Sequence, residues 1–147
     1  MKRILLAVEG SEASARAIEL ATNLAVKFEA DLVLISVVDG FARPEAVAQY
    51  KRFRAATRAT KAHFAESLAY DAVERARVQA LARGVRSIRS AVRFGDAAEE
   101  ILKCRDETEA DAIVIGSQGH GKIAGLMLGS VSQRIASVAP CAVVIAR

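Results

Sequence analysis

The sequence predicts a doubly wound α/β domain, in which helices cover both faces of one parallel sheet. Apolar runs of strand length alternate along the chain with segments of helical periodicity, as in parallel strands joined by crossover helices. The first two runs are continuous, which is typical of strands buried on both faces. With 147 residues, 52% of them hydrophobic, the chain can form a core without disulfides or a structural metal. We therefore expect one domain over residues 1–147.

The first half of the chain contains two of the predicted strands. Ile4 to Val8 forms the first strand, and Ser11 begins a helix because its hydroxyl can cap the first turn. Leu32 to Val38 forms the second strand, which is again continuous and rich in branched residues. Phe41 to Pro44 is expected to be a loop.

A long helical pattern follows, from Glu45 to Arg83, with Gly84 as its stop. The later part of this helix is amphipathic, and His63 lies on its polar side. The opposite side is predicted to face the core and carries Ala65, Leu68, Ala69, Ala72, Val73, Ala76 and Ala80.

Three further strands and two helices complete the pattern. Ser87 to Arg93 is the third strand, and Asp96 caps the helix that follows it. Ala112 to Ile115 is the fourth strand, Ser130 to Val138 the last helix, and Cys141 to Ala146 the fifth strand.

Composition excludes several classes of protein. No apolar stretch approaches the roughly 18 residues of a membrane span, and the N-terminal apolar run is too short for a signal peptide. Cys104 and Cys141 are the only cysteines, so we expect a cytoplasmic protein whose buried thiols are reduced and inert. The two histidines and two cysteines have no zinc spacing. A net charge of +4 is only weakly indicative of an anionic partner.

The most informative segment runs from Gly116 to Ser130 and holds five of the nine glycines. It follows a buried strand and precedes a helix. Glycines in this position allow positive φ and close approach of a ligand, and the open N–H groups near Gly129, Ser130 and Val131 suit a phosphate. The alternative is a flexible surface loop without a ligand.

Two nucleotide motifs compete for this segment. Gly116 to Lys122 satisfies the first part of a P-loop, but Ile123 stands where that loop needs Ser or Thr to reach Mg²⁺. The better match is the pattern G-x2-G-x9-G-S, whose fixed positions are Gly116, Gly119, Gly129 and Ser130.

On these residues the chain resembles the nucleotide-binding members of the universal stress protein family. The resemblance covers essentially the whole chain and includes residues 8–11, 37–39, 95–101 and 140–144. It implies a strand order of 3-2-1-4-5. In that order the loops that begin at Glu9 and Gly116 meet at the switch point of the sheet, where ligands of open α/β folds bind.

The resemblance also implies the ligand, which is ATP with or without Mg²⁺, while ADP, AMP or a cyclic nucleotide stays open. Val37 would pack by the adenine, Glu9 would bind the ribose hydroxyls, and Lys122 would offset phosphate charge. The family usually has Asp where this chain has Glu9. The residues expected at the site are Ala7, Val8, Glu9, Val37, Gly116, Ser117, Gly119, Gly121, Lys122, Gly129, Ser130 and Val131.

The remaining polar residues give weaker indications of function. His120 has no visible partner for proton transfer. A basic stripe of Lys51, Arg54, Arg58 and Lys61 is interpreted as a solvated helix face, and scarce aromatics argue against nucleic-acid binding.

Three functional hypotheses remain at this point. The first is an ATP-binding regulatory protein of the stress response that acts on an unknown protein partner. The second is a slow ATPase or phosphoryl-transfer enzyme, although no hydroxyl follows Lys122 to hold Mg²⁺. The third is a family member that binds no nucleotide. In each case we expect a homodimer through the uncharged edge strand from Cys141 to Ile145.

Overall fold

The computed structural model describes residues 1–38, 51–52, 55, 61–118 and 128–147. Five strands lie in these ranges: β1 (Arg3–Ala7), β2 (Asp31–Val38), β3 (Ile88–Phe94), β4 (Ala112–Gly116) and β5 (Ala142–Ala146). Four helices lie wholly within them: α1 (Glu12–Phe28), α2 (Lys61–Ala82), α3 (Ala97–Thr108) and α4 (Ser130–Val138). The predicted loop from Phe41 to Pro44 and most of the segment from Glu45 to Thr60 are outside the described residues.

The strands form one parallel sheet in the order β3-β2-β1-β4-β5. The predicted fold class and strand order are therefore confirmed. Strand β1 is central, since Leu6 is paired with Leu34 of β2 on one side and with Val114 of β4 on the other. The carboxyl ends of β1 and β4 consequently lie side by side.

Alternate residues of the central strands point to opposite faces of the sheet and pack into two separate core layers. On one face, Ile4 and Leu6 are fully buried beneath α1 and α2. On the other face, Leu5 and Ile113 are fully buried beneath α3 and α4. Small side chains such as Ala17 let the helices approach the sheet closely. The two aliphatic layers hold the strand ends rigidly in place.

Most of the predicted helix boundaries are confirmed. Ser11 caps α1, since its hydroxyl accepts a hydrogen bond from the Ser14 N–H at 3.1 Å. Asp96 caps α3 in the same way, through the Glu99 N–H at 2.9 Å. Gly84 follows α2 with φ of +94°, a conformation that favours glycine.

Two predictions about burial are wrong. Leu68 was expected in the core but is 38% exposed, because it lies at the margin of the buried stripe of α2, while Phe64 one turn earlier is buried. Cys141 was expected to be buried but is half-buried, because it precedes β5 at the edge of the sheet. Cys104 is buried as predicted, and burial raises the pKa of its thiol. No described helix is both long and apolar enough to span a membrane.

One carboxylate joins the amino ends of the two strands that flank the switch point. Asp111 precedes β4, and its Oδ2 accepts hydrogen bonds from the N–H groups of Lys2 at 2.5 Å and Arg3 at 2.9 Å. Its own N–H donates to the Arg3 carbonyl at 2.9 Å. The two accepted backbone hydrogen bonds lower the pKa of the Asp111 carboxyl.

This pKa shift predicts a pH dependence of stability. A carboxyl whose pKa is depressed by folding stabilises the protein above its unfolded pKa, about 3.9, and that contribution is lost as pH falls through the lower folded pKa. We expect the free energy of unfolding of Asp111→Asn to be lower than that of the parent at neutral pH. This difference in the free energy of unfolding should narrow below about pH 4. Urea unfolding from pH 7 to pH 3 measures this. A difference that stayed constant across the range would contradict it.

Candidate functional site

The candidate site lies outside the carboxyl ends of β1 and β4. Strand order changes direction here, because the chain continues from β1 to β2 on one side and from β4 to β5 on the other. Ligands of open α/β sheets bind at such a point. Val37, near the end of β2, is the next strand end in the sheet and is half-buried.

Gly116 brings α1 against the end of β4. A Cβ on Gly116 would lie 2.8 Å from the carbonyl carbon of Ala13 and 3.0 Å from its Cβ and its oxygen. Most of this obstacle is backbone, so it cannot move aside as a flexible side chain would. The φ of Gly116 is outside the left-handed region, and that of Gly129 is −65°. Neither glycine uses the positive φ that the sequence allows, and at Gly116 the close packing itself requires glycine.

The β1–α1 turn fixes the backbone of Glu9. Ser14 is 1% exposed, and its Oγ accepts a hydrogen bond from the Glu9 N–H at 3.1 Å. Gly10 has φ of +89°, which lets the chain turn into the Ser11 cap. Glu9 itself is half-buried at the end of β1. The turn therefore fixes the backbone of Glu9 at the carboxyl end of β1, the strand that neighbours β4.

The two ends of the β4–α4 connection are hydrogen-bonded to each other. The Ser117 carbonyl accepts from the Gly129 N–H at 2.7 Å and from the Ser132 hydroxyl at 2.9 Å. The Ser117 N–H donates to Ala146 of β5 at 2.7 Å. The predicted site residues Gly119, Gly121 and Lys122, together with His120, are outside the described residues.

Helix α4 begins without a side-chain cap. Its N-cap is Gly129, whereas α1 and α3 are capped by Ser11 and Asp96. The Gly129 N–H, which was expected to be open, is occupied by the Ser117 carbonyl. The next three N–H groups donate to no carbonyl or side chain among the described residues; they belong to Ser130, Val131 and Ser132. Three open N–H groups at the positive end of a helix form a donor set for an anion.

An ion pair fixes α4 against α3. Arg134 of α4 donates to Asp96 and to Glu99 at the start of α3, each at 2.9 Å. The hydrogen bond that Arg134 donates to the Glu99 carboxylate is the main cause that raises the pKa of the Arg134 guanidinium. All three side chains are exposed, so the pair contributes more to orientation than to stability.

The other predicted site residues are distributed around this edge. Ala7 and Val8 are 8% and 2% exposed, so their side chains belong to the core and only their backbone can reach a ligand. Ser130 is exposed at the start of α4, and Val131 is half-buried against the α3–α4 layer. No group of three or more His, Cys, Asp or Glu side chains among the described residues could hold a metal.

Sequence reasoning missed two buried serines at the site. Ser14 and Ser132 are each the third residue of a helix that follows a central strand, and both are at most 2% exposed. A polar residue in the first turn of a helix that is otherwise apolar on its inner face was the available signal.

Comparisons with known proteins agree with this architecture. A model of the universal stress protein family matches residues 1–147. A protein named as a universal stress protein in Staphylococcus aureus (strain USA300) is 31% identical over 147 residues, covering 99% of this chain and 84% of the relative. Universal stress protein UspA from Lactobacillus plantarum superposes with a TM-score of 0.77 at 23% identity, over 99% of this chain and 97% of that one. A universal stress protein in complex with cAMP superposes with a TM-score of 0.72 at 24% identity, with the same coverage.

The contact of Gly116 with Ala13 predicts a mutational effect. Gly116→Ala inserts a methyl group 2.8 Å from a backbone carbon, so β4 or α1 must shift. We expect a loss of about 1–3 kcal/mol in the free energy of unfolding, as is usual for overpacking in a core. Urea denaturation measures the loss, and an unchanged midpoint would show that the approach of α1 to β4 is looser than described.

Proposed function

The chain belongs to the universal stress protein family, and we propose that it binds an adenine nucleotide at the carboxyl edge of β1 and β4. The observation that carries the proposal is the start of α4. Its first turn offers three N–H groups without a cap, next to the fixed Glu9 turn. A relative of similar fold was solved with cAMP, which contains both an adenine and a phosphate.

The phosphate would be held by the N–H groups of Ser130, Val131 and Ser132. The helix dipole adds a partial positive charge at this end, and the missing side-chain cap leaves the groups open to a ligand. Helices α1 and α3 lack this capacity, because Ser11 and Asp96 already accept from their first turns. Among the three helices whose N-caps the structure describes, α4 is therefore the favoured phosphate site.

The nucleoside would occupy the neighbouring strand ends. The Glu9 carboxylate can accept hydrogen bonds from ribose hydroxyls, and the Ser14 hydroxyl keeps its backbone in place. Val37 offers a half-buried apolar side chain for the adenine. Ala7 and Val8 can contribute only backbone, and the Val8 N–H already donates to Ile35 at 2.9 Å.

We propose ATP as the physiological ligand, free or with Mg²⁺. Gly119, Gly121 and Lys122 would then hold the outer phosphates, as the motif G-x2-G-x9-G-S implies. The protein would work as a cytoplasmic regulator of the stress response, in which a partner protein distinguishes the nucleotide-bound from the free state. No described residue supplies a specific reason to favour hydrolysis as its role.

The proposed homodimer uses β5, and the two sheet edges support this choice. Strand β3, the opposite edge, carries Arg89 and Arg93, charges of the kind that discourage edge pairing. Strand β5 consists of Ala142, Val143, Val144, Ile145 and Ala146, without any charge. An uncharged edge of this kind is normally paired or covered.

The direction of the β5 backbone groups identifies which residues face a partner. The Ala146 carbonyl accepts from Ser117 on the β4 side. Since backbone groups alternate along a strand, Val144 also faces β4, while Val143 and Ile145 present their N–H and C=O groups to the open edge.

A side-chain cap on α4 should weaken nucleotide binding. Gly129→Asp places a carboxylate over the open N–H groups, where it competes with and repels a phosphate. We expect ATP affinity, measured by calorimetry, to fall at least about tenfold, while the free energy of unfolding changes by no more than about 0.5 kcal/mol. Ser137→Asp is the control, since it adds the same charge on an exposed position of α4 far from its start. Equal ATP affinity in Gly129→Asp and the parent would refute the phosphate assignment.

The dimer predicts a difference between adjacent proline substitutions. Val143→Pro removes a donor from the open edge and should yield a folded monomer, while Val144→Pro should destabilise the fold because its N–H faces β4. Light scattering on the parent should give twice the chain mass of 15.7 kDa. A monomeric parent at micromolar concentration would rule the dimer out.

A further inference from the structure

We propose that Ser132 is a positioning residue for the phosphate-binding turn, and this inference rests on the proposed function. Its hydroxyl ties the end of β4 to the start of α4. The open N–H groups of α4 are thereby held in one orientation before a ligand arrives.

The geometry around Ser132 is that of a shared donor. Its Oγ lies 2.9 Å from the Ser117 carbonyl oxygen and 2.9 Å from the Gly129 carbonyl oxygen. Ser132 is 2% exposed, so water does not compete well for this hydroxyl. One hydroxyl proton can be shared between two carbonyls, as is common at helix ends.

The Ser117 carbonyl is saturated by this arrangement. It accepts from Ser132 and, at 2.7 Å, from the Gly129 N–H, which together use both of its lone pairs. Both ends of the β4–α4 connection therefore meet at one oxygen atom. Without the hydroxyl, one hydrogen bond to Ser117 would be left to orient the first turn of α4 against β4.

The Ser132 hydroxyl is expected to affect binding of the phosphate group more than binding of the nucleoside. The Ser132 hydroxyl contacts the turn that carries the open N–H groups, whereas Glu9 is held by Ser14 on a different helix. A preformed donor set binds more tightly because the ligand does not have to order it. Loss of the hydroxyl should therefore weaken the phosphate contribution to binding and leave the nucleoside contribution intact.

The test compares AMP with adenosine in matched variants. For Ser132→Ala we expect AMP affinity by calorimetry to fall about three- to tenfold, as for loss of a buried hydrogen bond, while adenosine affinity changes less than about twofold. Ser132→Thr should restore AMP affinity, because a helical Thr hydroxyl can still reach the carbonyl three or four residues back. Ser137→Ala is the control, since the Ser137 hydroxyl donates to the Gln133 carbonyl within its own helix, at 2.9 Å.

A second measurement needs no ligand. Hydrogen exchange of the Gly129 amide should be faster in Ser132→Ala than in the parent and unchanged in Ser137→Ala, because the Gly129 N–H shares its acceptor with Ser132. Ser132→Cys, which keeps a polar hydrogen at this position but donates weakly, replaces Ser132→Ala if the latter does not fold.

The outcomes separate the two proposals. An AMP affinity that is the same in Ser132→Ala and the parent would overturn the role of Ser132 and leave nucleotide binding standing. Equal losses for AMP and adenosine would show a general structural role and overturn it as well. A parent protein that bound neither ligand would overturn the proposed function and this inference together.

Discussion

The close approach of Gly116 to Ala13 is the constraint on which the candidate site depends. It allows the first turn of α1 to lie directly against the end of β4, with only 2.8 Å between the Ala13 carbonyl carbon and the place of a Cβ. The Glu9 turn and the Ser117 junction are next to each other for this reason. Any larger residue at this position would separate the two groups that we assign to one ligand.

Around that contact, buried hydroxyls organise the backbone. Ser14 orients the Glu9 N–H, and Ser132 joins Ser117 to Gly129. Both serines are screened from water by the two aliphatic layers, which makes their hydrogen bonds effective and costly to remove. The resulting site consists of fixed backbone donors with one carboxylate, an arrangement that suits binding of an anionic ligand.

Much of the fold could be predicted from the sequence, because the strands other than β3 are mainly apolar runs and the helices after β1 and β3 have side-chain caps at Ser11 and Asp96. The strand order came from the family resemblance. The roles of Ser14 and Ser132 could not be predicted, since their partners are carbonyls and N–H groups that only the folded chain brings near. The packing role of Gly116 could not be predicted either, since its neighbour Ala13 lies on a helix more than a hundred residues earlier in the chain. The burial of Leu68 was predicted wrongly, because a residue at the margin of an apolar helix face is buried only where neighbouring elements cover it.

The most direct test of the central claim is an NMR titration of the amide groups at the starts of α3 and α4. If α4 binds the phosphate of an adenine nucleotide, AMP should shift the amide resonances of Ser130, Val131 and Ser132 much more than adenosine does. The amide resonance of Glu99 should not shift, because its N–H already donates to the Asp96 side chain at the start of α3. Nucleotide-dependent shifts that left the three α4 amides unmoved would contradict the account.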